Sequence, residues 1–169
     1  MLAMGWEGNH LKEIRYGGIS YFTRYAGGQD PEATEDFPQR DSFQYTLEDL
    51  LKLPGDTFTF IYDFGDSWTH RVTLTDIEPY QYDKAEGDYA GAHLTAGQNA
   101  CPPEDVGGVG GYAEMLKSLA EPNNEEREEY LKWLGRNFDP NSFDLYSAQC
   151  RVEDFQRIIG EARWGFYHK

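Results

Sequence analysis

The sequence is poor in cysteine and in long hydrophobic runs. Its 169 residues include two cysteines, Cys101 and Cys150, and neither belongs to a Cys-x-x-Cys pair. Two isolated thiols are typical of a reducing compartment. No apolar run approaches the roughly 20 residues that span a bilayer, and no basic segment followed by an apolar one indicates a secretory signal. We therefore expect a cytoplasmic protein without a membrane partner.

Basic residues are also scarce. The chain has 15 Lys and Arg against 30 Asp and Glu, a formal net charge of −15, and its basic residues are scattered singly. Because sequence-independent binding to nucleic acid depends on Lys and Arg that neutralise phosphates, direct nucleic-acid binding is not expected. Leu, Ile, Val and Phe number only 33. Aromatic residues nevertheless make up 15% of the chain, whereas disordered acidic segments are poor in aromatic residues. The length fits one folded domain over residues 1–169.

The pattern along the chain predicts strands first and helices later, hence an α+β fold. Residues 10–16 and 19–25 alternate as strands around Gly17 and Gly18, two residues suited to a tight hairpin turn. Residues 1–6 resemble the last turn of a helix, and we expect most helices in the C-terminal half. The other predicted elements begin with a loop over residues 27–41 and a short helix after a capping box at Thr46 and Asp49. Three further helices are predicted over residues 112–120, from Asn123 or Asn124 to Gly135, and over residues 152–159. In the second of these, Trp133 is predicted to face inward.

The clearest prediction is a long antiparallel hairpin of residues 56–64 and 68–77. Alternation places aromatic residues on one face of the first strand and apolar residues on the matching face of the second. Such alternation is typical of a sheet with one face on the core, against which helices pack. It favours a core over a base-stacking platform. The residues of this face are Phe58, Phe60, Tyr62 and Phe64, then Trp68, His70, Val72 and Leu74.

Three residues of this hairpin form a first candidate site. Asp63, Asp66 and His70 combine carboxylates with an imidazole, which could bind a divalent metal ion or perform acid–base chemistry. In the alternative interpretation, both aspartates accept hydrogen bonds from turn amides and His70 packs in the core.

A second candidate site lies at residues 101–108. Two prolines after Cys101 favour an extended backbone that presents Glu104 and Asp105. The glycines that follow are not succeeded by lysine, so the segment matches neither a P-loop nor a dinucleotide-binding motif, and the sequence identifies no organic cofactor. The alternative is a rigid entry into the next helix. A composite site would collect seven residues in one cleft: His10, Asp63, Asp66, His70, Cys101, Glu104 and Asp105. The acid–base candidates are Asp63, Asp66, His70 and Glu104, and the metal-ligand candidates are His10, Asp63, Asp66, His70 and Cys101.

Several short segments are distinctive when they are taken together in their order and spacing. They are Gly5-Trp6 with His10-Leu11, residues 62–70 (Tyr-Asp-Phe-Gly-Asp-Ser-Trp-Thr-His), residues 101–108 (Cys-Pro-Pro-Glu-Asp-Val-Gly-Gly), residues 133–135 (Trp-Leu-Gly), residues 138–140 (Phe-Asp-Pro) and residues 143–144 (Phe-Asp). In order and spacing they resemble the plasmid pRiA4b ORF-3-like family, which also occurs as passenger proteins of insertion elements. The resemblance covers most of the chain, from about Met4 to Leu145, and implies an α+β domain with no assigned activity.

The sequence departs from the family at its start. Members usually begin with a strand and a helix before the Gly-Trp pair, and here most of that element is absent. We expect this departure to leave an apolar face exposed, which favours self-association or cover by a partner.

Three functions follow as hypotheses. The first is a protein-binding module in a plasmid or mobile-element setting. The second is a metal-assisted or acid–base, hydrolase-like enzyme that uses Asp63, Asp66, His70 and Glu104. The third is an accessory to DNA recombination that acts through a protein partner. The sequence leaves open whether the chain is an enzyme.

Overall fold

The computed structural model describes residues 1–22, 37–79, 92–135 and 137–154. Strands come first and most helices later, which confirms the predicted α+β class. The chain divides into two compact units. The sheet unit holds the described residues of Asn9–Pro79 and Gly107–Val109, and the helical unit holds those of Met1–Gly8, Tyr80–Val106 and Gly110–Lys169.

The sheet unit is built on a mixed five-stranded sheet. Its strand order is β3-β2-β1-β4-β5, and all neighbours are antiparallel except β2 and β3, which are parallel. Strand β3 was not predicted, because three residues are too few to show a periodicity and they lie in a polar stretch. The rest of that predicted loop, residues 27–36, lies outside the described residues. The strands are β1 (Lys12–Tyr16), β2 (Ile19–Phe22), β3 (Gln39–Asp41), β4 (Thr57–Tyr62) and β5 (Trp68–Thr73).

Both predicted hairpins are present. Gly17 and Gly18 have φ values of 57° and 73°, the left-handed conformation that the two-residue turn between β1 and β2 requires. In the second hairpin, β4 pairs with β5 so that Phe60 lies opposite His70 and Tyr62 lies opposite Trp68. This register places the predicted aromatic face on one side of the sheet.

The opposite face of the sheet is also partly buried, which differs from the prediction of one apolar face. Glu13 on β1 pairs with Phe22 on β2 and with Ile61 on β4, and all three are buried. Because neighbours in register point to the same side of a sheet, the pairing brings these residues together. Glu13 and Arg15 form a salt bridge on this face.

The sheet unit also contains the predicted short helix, α1 (Leu47–Leu50). The Thr46 side chain accepts a hydrogen bond from the Asp49 amide at 3.3 Å, and the Asp49 carboxylate accepts one from the Thr46 amide at 2.8 Å. This capping box was predicted from the two residue types and their spacing. The hydrogen bonds from Thr46 hold the pKa of Asp49 below its ordinary value.

The helical unit begins with a 3-10 helix at Leu2–Met4 and contains most of α2 (Gly108–Ala120), α3 (Glu125–Leu134) and α4 over residues 145–154. The caps of α3 are confirmed: the Asn124 side chain accepts a hydrogen bond from the Glu126 amide, and Gly135 is left-handed. Two predicted starts were wrong. Helix α2 begins four residues before Tyr112, and α4 begins at residue 145, where Asp144 accepts a hydrogen bond from the Ser147 amide at 3.0 Å. Residues 155–159 of the predicted last helix lie outside the described part.

Among the described residues, no helix combines the length and the apolarity that crossing a membrane would require.

Candidate functional site

The turn between β4 and β5 places Asp63 against His10. Asp63 has a φ of 58°, a left-handed conformation that is uncommon outside glycine. Its Oδ1 accepts hydrogen bonds from the amides of Gly65 at 2.9 Å and Asp66 at 3.4 Å. Its Oδ2 lies 3.4 Å from Nδ1 of His10, whose ring packs edge-on against Tyr62. Asp63 therefore fixes the turn with one oxygen and meets an imidazole with the other.

Asp66 and His70 each have a structural partner. Asp66 Oδ2 accepts a hydrogen bond from the Gly107 amide at 3.2 Å, just before α2. Because a carbonyl oxygen only accepts, Nδ1 of His70 donates to the Phe60 carbonyl at 3.2 Å, across the β4–β5 pair. The contacts of Asp63 and His70 match the alternative interpretation, in which turn amides hold the aspartates and His70 is a packing residue. Asp66 differs from it, because its carboxylate accepts from an amide outside the turn. The catalytic role assigned to Asp66 and His70 stays a prediction.

The remaining candidates, Glu104 and Cys101, belong to the helical unit. Glu104 Oε2 accepts a hydrogen bond from the Glu7 amide at 3.0 Å, and the indole of Trp6 donates to the Pro102 carbonyl at 2.9 Å. These two bonds join the N-terminal segment to residues 102–104. Burial raises the pKa of the Cys101 thiol to about 12. Since the thiolate is the form that binds metal ions and reacts, the raised pKa disfavours a metal-ligand role for Cys101, and that role stays a prediction.

We expect iodoacetamide at pH 8 to alkylate Cys101 at least tenfold more slowly in the folded protein than in the urea-unfolded chain. The raised pKa lowers the thiolate fraction of Cys101 in the folded state, while unfolding returns the thiol to an ordinary pKa. Peptide mapping by mass spectrometry follows the two cysteines separately. Equal rates of Cys101 modification in the folded and unfolded proteins would contradict the burial of this thiol.

The helical unit also contains a cleft of about 690 Å³, the main cleft. Its walls come from the N-terminal segment, residues 100–104, the end of α3, the loop over residues 137–144 and α4. Trp6 is buried in the wall, whereas the side chain of Trp133 is 49% exposed. The lining combines aromatic with charged side chains: Trp6, Trp133, Phe138 and Phe143, with Glu104, Asp139, Asp144 and Arg151.

Specific contacts hold these walls in place. Nε of Arg151, on α4, donates to the Leu2 carbonyl at 2.9 Å, and its Nη2 donates to the Ala3 carbonyl at 3.3 Å. The ring of Phe143 packs so closely on Gly97 that a β-carbon there would overlap it. These contacts connect the segments that line the main cleft to one another, as expected of a preformed binding site.

A second, smaller depression of about 320 Å³, the side cleft, shares Trp133 with the main cleft. Its other lining residues include Glu126, Glu129 and Tyr130 of α3, and Asp105. The sequence predicted Trp133 to face inward, which was wrong. A signal was available: α3 reads Glu-Glu-Arg-Glu-Glu-Tyr-Leu-Lys-Trp-Leu, too polar for a core helix, and none of its residues is buried.

Known proteins resemble the chain over most of its length. The model of the family described as Plasmid pRiA4b ORF-3-like protein matches residues 1–147. The chain is 32% identical over 165 residues to the "Uncharacterized protein y4hQ" of Sinorhizobium fredii (strain NBRC 101917 / NGR234). The aligned residues cover 96% of this chain and 75% of that protein.

A solved structure shows the same similarity. The crystal structure of the protein of unknown function MM3350 from Methanosarcina mazei Go1 superposes with a TM-score of 0.69 and 32% sequence identity, covering 86% of this chain and 76% of that one. The family match, the sequence identity and the shared fold confirm the resemblance that the sequence motifs predicted. The chain belongs to the plasmid pRiA4b ORF-3-like protein family.

Proposed function

We propose that the protein is a cytoplasmic protein-binding module whose main cleft takes up a segment of a partner polypeptide. The observation that carries the proposal is Trp133, an indole that is 49% exposed at the boundary of two concave clefts. Exposed tryptophan in a depression supplies a large apolar contact with a polar N–H, which is why it is enriched at interface hot spots.

The rest of the helical unit supports binding over catalysis in the main cleft. The carboxylate of Asp144 is engaged by the amide and hydroxyl of Ser147, at 3.0 and 2.6 Å, and Glu104 holds the Glu7 amide. The Cys101 thiol is protonated at neutral pH. These groups are used to shape the cleft, so the main cleft offers recognition surface more than an activated nucleophile or base.

The proposal includes the origin of the partner and the cellular compartment in which binding takes place. The family description names a plasmid protein, which supports a partner encoded on a plasmid or another mobile element. An accessory role in DNA recombination would be one case of such binding. Both cysteines are free thiols, as is usual in the cytoplasm.

Selection of displayed random peptides on the full chain tests the proposal. We expect selected peptides to lose about tenfold or more in affinity for Trp133→Ala, because truncating a hot-spot indole typically costs more than 1.4 kcal/mol. Tyr146→Ala is the matched control: this aromatic residue on α4 is 80% exposed but lines neither cleft. Self-association that Trp133→Ala abolishes would identify a second copy as the partner. Selection of no peptide that distinguishes the two variants, without such self-association, would refute the proposal.

A second candidate function rests on the contact between His10 and Asp63. The 3.4 Å approach of an imidazole to a carboxylate could serve a divalent metal ion or proton transfer. If so, added zinc, manganese or magnesium raises the melting temperature by several degrees, and His10→Gln abolishes the rise while leaving the Asp63 turn intact. No shift with any of the three ions, and no metal in the purified protein by elemental analysis, would dismiss the metal role.

A further inference from the structure

We propose that the segment bound in the main cleft is cationic, with an arginine side chain stacked on Trp133. This inference rests on the proposed function and adds the chemistry of the partner. Its basis is the coincidence of one exposed indole, two adjoining clefts and the sign of the charges that line them.

The side cleft carries negative charge next to the indole. Asp105, Glu126 and Glu129 line it together with Trp133, and its described lining includes no Lys or Arg. Glu126 and Glu129 are exposed residues of the same helix as Trp133. An anionic ligand at this position would be repelled by these carboxylates, and an apolar ligand would remove them from water. Oε2 of Glu126 accepts a hydrogen bond from the Ser118 hydroxyl at 2.9 Å, so the oxygen that Glu126 offers a ligand is Oε1.

The main cleft has the same sign. Its described lining holds the carboxylates of Glu104, Asp139 and Asp144 against one cation, Arg151. The guanidinium of Arg151 is committed to the carbonyls of Leu2 and Ala3. A positively charged ligand is therefore the complementary one on both sides of Trp133.

Arginine fits this arrangement better than lysine. Its planar guanidinium stacks on an indole and can donate hydrogen bonds from its edge to flanking carboxylates at the same time. Glu126 and Glu129 lie three residues apart on one face of α3, and Trp133 follows four residues after Glu129. One side chain could then meet the indole with its face and these carboxylates with its edge.

The test uses a labelled, capped Gly-Arg-Gly-Arg-Gly peptide and two matched peptides with norleucine or glutamate in place of arginine, titrated by fluorescence anisotropy at low ionic strength. We expect the arginine peptide to bind most tightly and the glutamate peptide least. Trp133→Ala should weaken binding of the arginine peptide about tenfold. The double variant Glu126→Gln/Glu129→Gln should weaken it at least about threefold, and binding should fall with added salt.

A matched double variant separates the site from the general negative charge of the protein. Glu125→Gln/Glu128→Gln changes the net charge by the same amount on the same helix, but neither residue lines a cleft. We expect it to alter affinity less than Glu126→Gln/Glu129→Gln does at low ionic strength, and less than about 1.5-fold at about 0.1 M salt, where exposed charges outside the site are screened. Equal effects of the two double variants would overturn the inference. Equal binding of the arginine and norleucine peptides would also overturn it.

The proposed function and this inference can fail separately. Selected peptides that depend on Trp133 but contain no cationic residue would overturn the inference and leave the binding module intact. If no selected or synthetic peptide depends on Trp133, and the chain does not self-associate through it, both proposals fall.

Discussion

Gly111→Ala is expected to destabilise the protein by about 3 kcal/mol, although alanine is a better helix former than glycine. A β-carbon at Gly111 would lie far inside van der Waals contact with the carbonyl oxygen of Val106. The chain reaches this close approach because Gly107 and Gly108 have φ values of 89° and 65° and fold the preceding residues back over the first turn of α2. The obstacle is backbone, so no side-chain rotation relieves it.

Gly110→Ala is the matched control in the same turn of α2. Nothing lies within 4 Å of a β-carbon at Gly110. The helix should therefore gain up to about 1 kcal/mol from the higher propensity of alanine. Thermal unfolding followed by circular dichroism separates the two, with a fall of about 6 to 12 °C for Gly111→Ala and no fall for Gly110→Ala. Similar melting temperatures for both variants would refute the close approach at Gly111.

The same glycines show where prediction from the sequence stops. Consecutive glycines lower helix propensity, so the sequence predicts that α2 begins near Tyr112. In the structure α2 begins at Gly108, and the close approach of the Val106 carbonyl oxygen to Gly111 requires a residue without a side chain at that position. A β-carbon at Gly108 would likewise lie 2.5 Å from the Asp66 carbonyl oxygen. Such tertiary contacts are invisible to local propensity.

Elements determined by neighbouring residues were predicted well. Gly17 and Gly18 make a turn from their own backbone freedom, Thr46 and Asp49 cap each other across three residues, and Asn124 needs only the amide of Glu126. The aromatic hairpin follows from its alternation. Strand β3 instead depends on parallel pairing with β2, which no pattern within its three residues indicates.

In the candidate site, too, the sequence indicated residue types and motifs but not the contacts that depend on tertiary structure. The sequence identified Asp63 and His10 as candidates but did not predict that they lie close together. The pairing of β1 with β4 and the left-handed conformation of Asp63 bring Asp63 Oδ2 to 3.4 Å from His10 Nδ1. It also identified Trp133-Leu134-Gly135 as a family motif but assigned the indole to the core. Helical spacing gives the face on which a residue lies, but whether another element covers that face depends on the packing of the unit.

Arg15→Met is expected to destabilise the protein by about 2 to 3 kcal/mol, because it leaves a buried carboxylate without its cation. Glu13 is 3% exposed. Arg15 donates to both of its oxygens, Nε to Oε1 at 2.7 Å and Nη2 to Oε2 at 2.9 Å. The hydroxyl of Ser20 also donates to Glu13 Oε1. Among the described residues, these contacts leave Ser20 as the side-chain donor to Glu13 after the substitution. The strand neighbours of Glu13, Phe22 and Ile61, are apolar.

A second substitution separates the loss of the cation from the loss of packing. Methionine keeps much of the apolar stem of Arg15, whose guanidinium lies 5.3 Å from the centre of the Phe37 ring. Adding Glu13→Leu to Arg15→Met removes the unpaired charge as well, and should recover part of the lost stability, since a buried ion pair can be replaced by apolar residues at little cost. Recovery is not complete, because the buried Ser20 hydroxyl loses its acceptor. Glu128→Gln, at an exposed ion pair 3.5 Å from Arg127, should cost less than about 0.5 kcal/mol.

Urea unfolding followed by circular dichroism measures all of these variants in one series. If the double variant is no more stable than Arg15→Met, the cost lies in packing around β1 and the unpaired charge of Glu13 is not its cause. If Arg15→Met unfolds at the same urea concentration as the wild type, the Glu13 carboxylate must be accessible to water in solution. Recovery in the double variant alone fits a carboxylate that the sheet buries and that the Arg15 guanidinium and the Ser20 hydroxyl hold by hydrogen bonds.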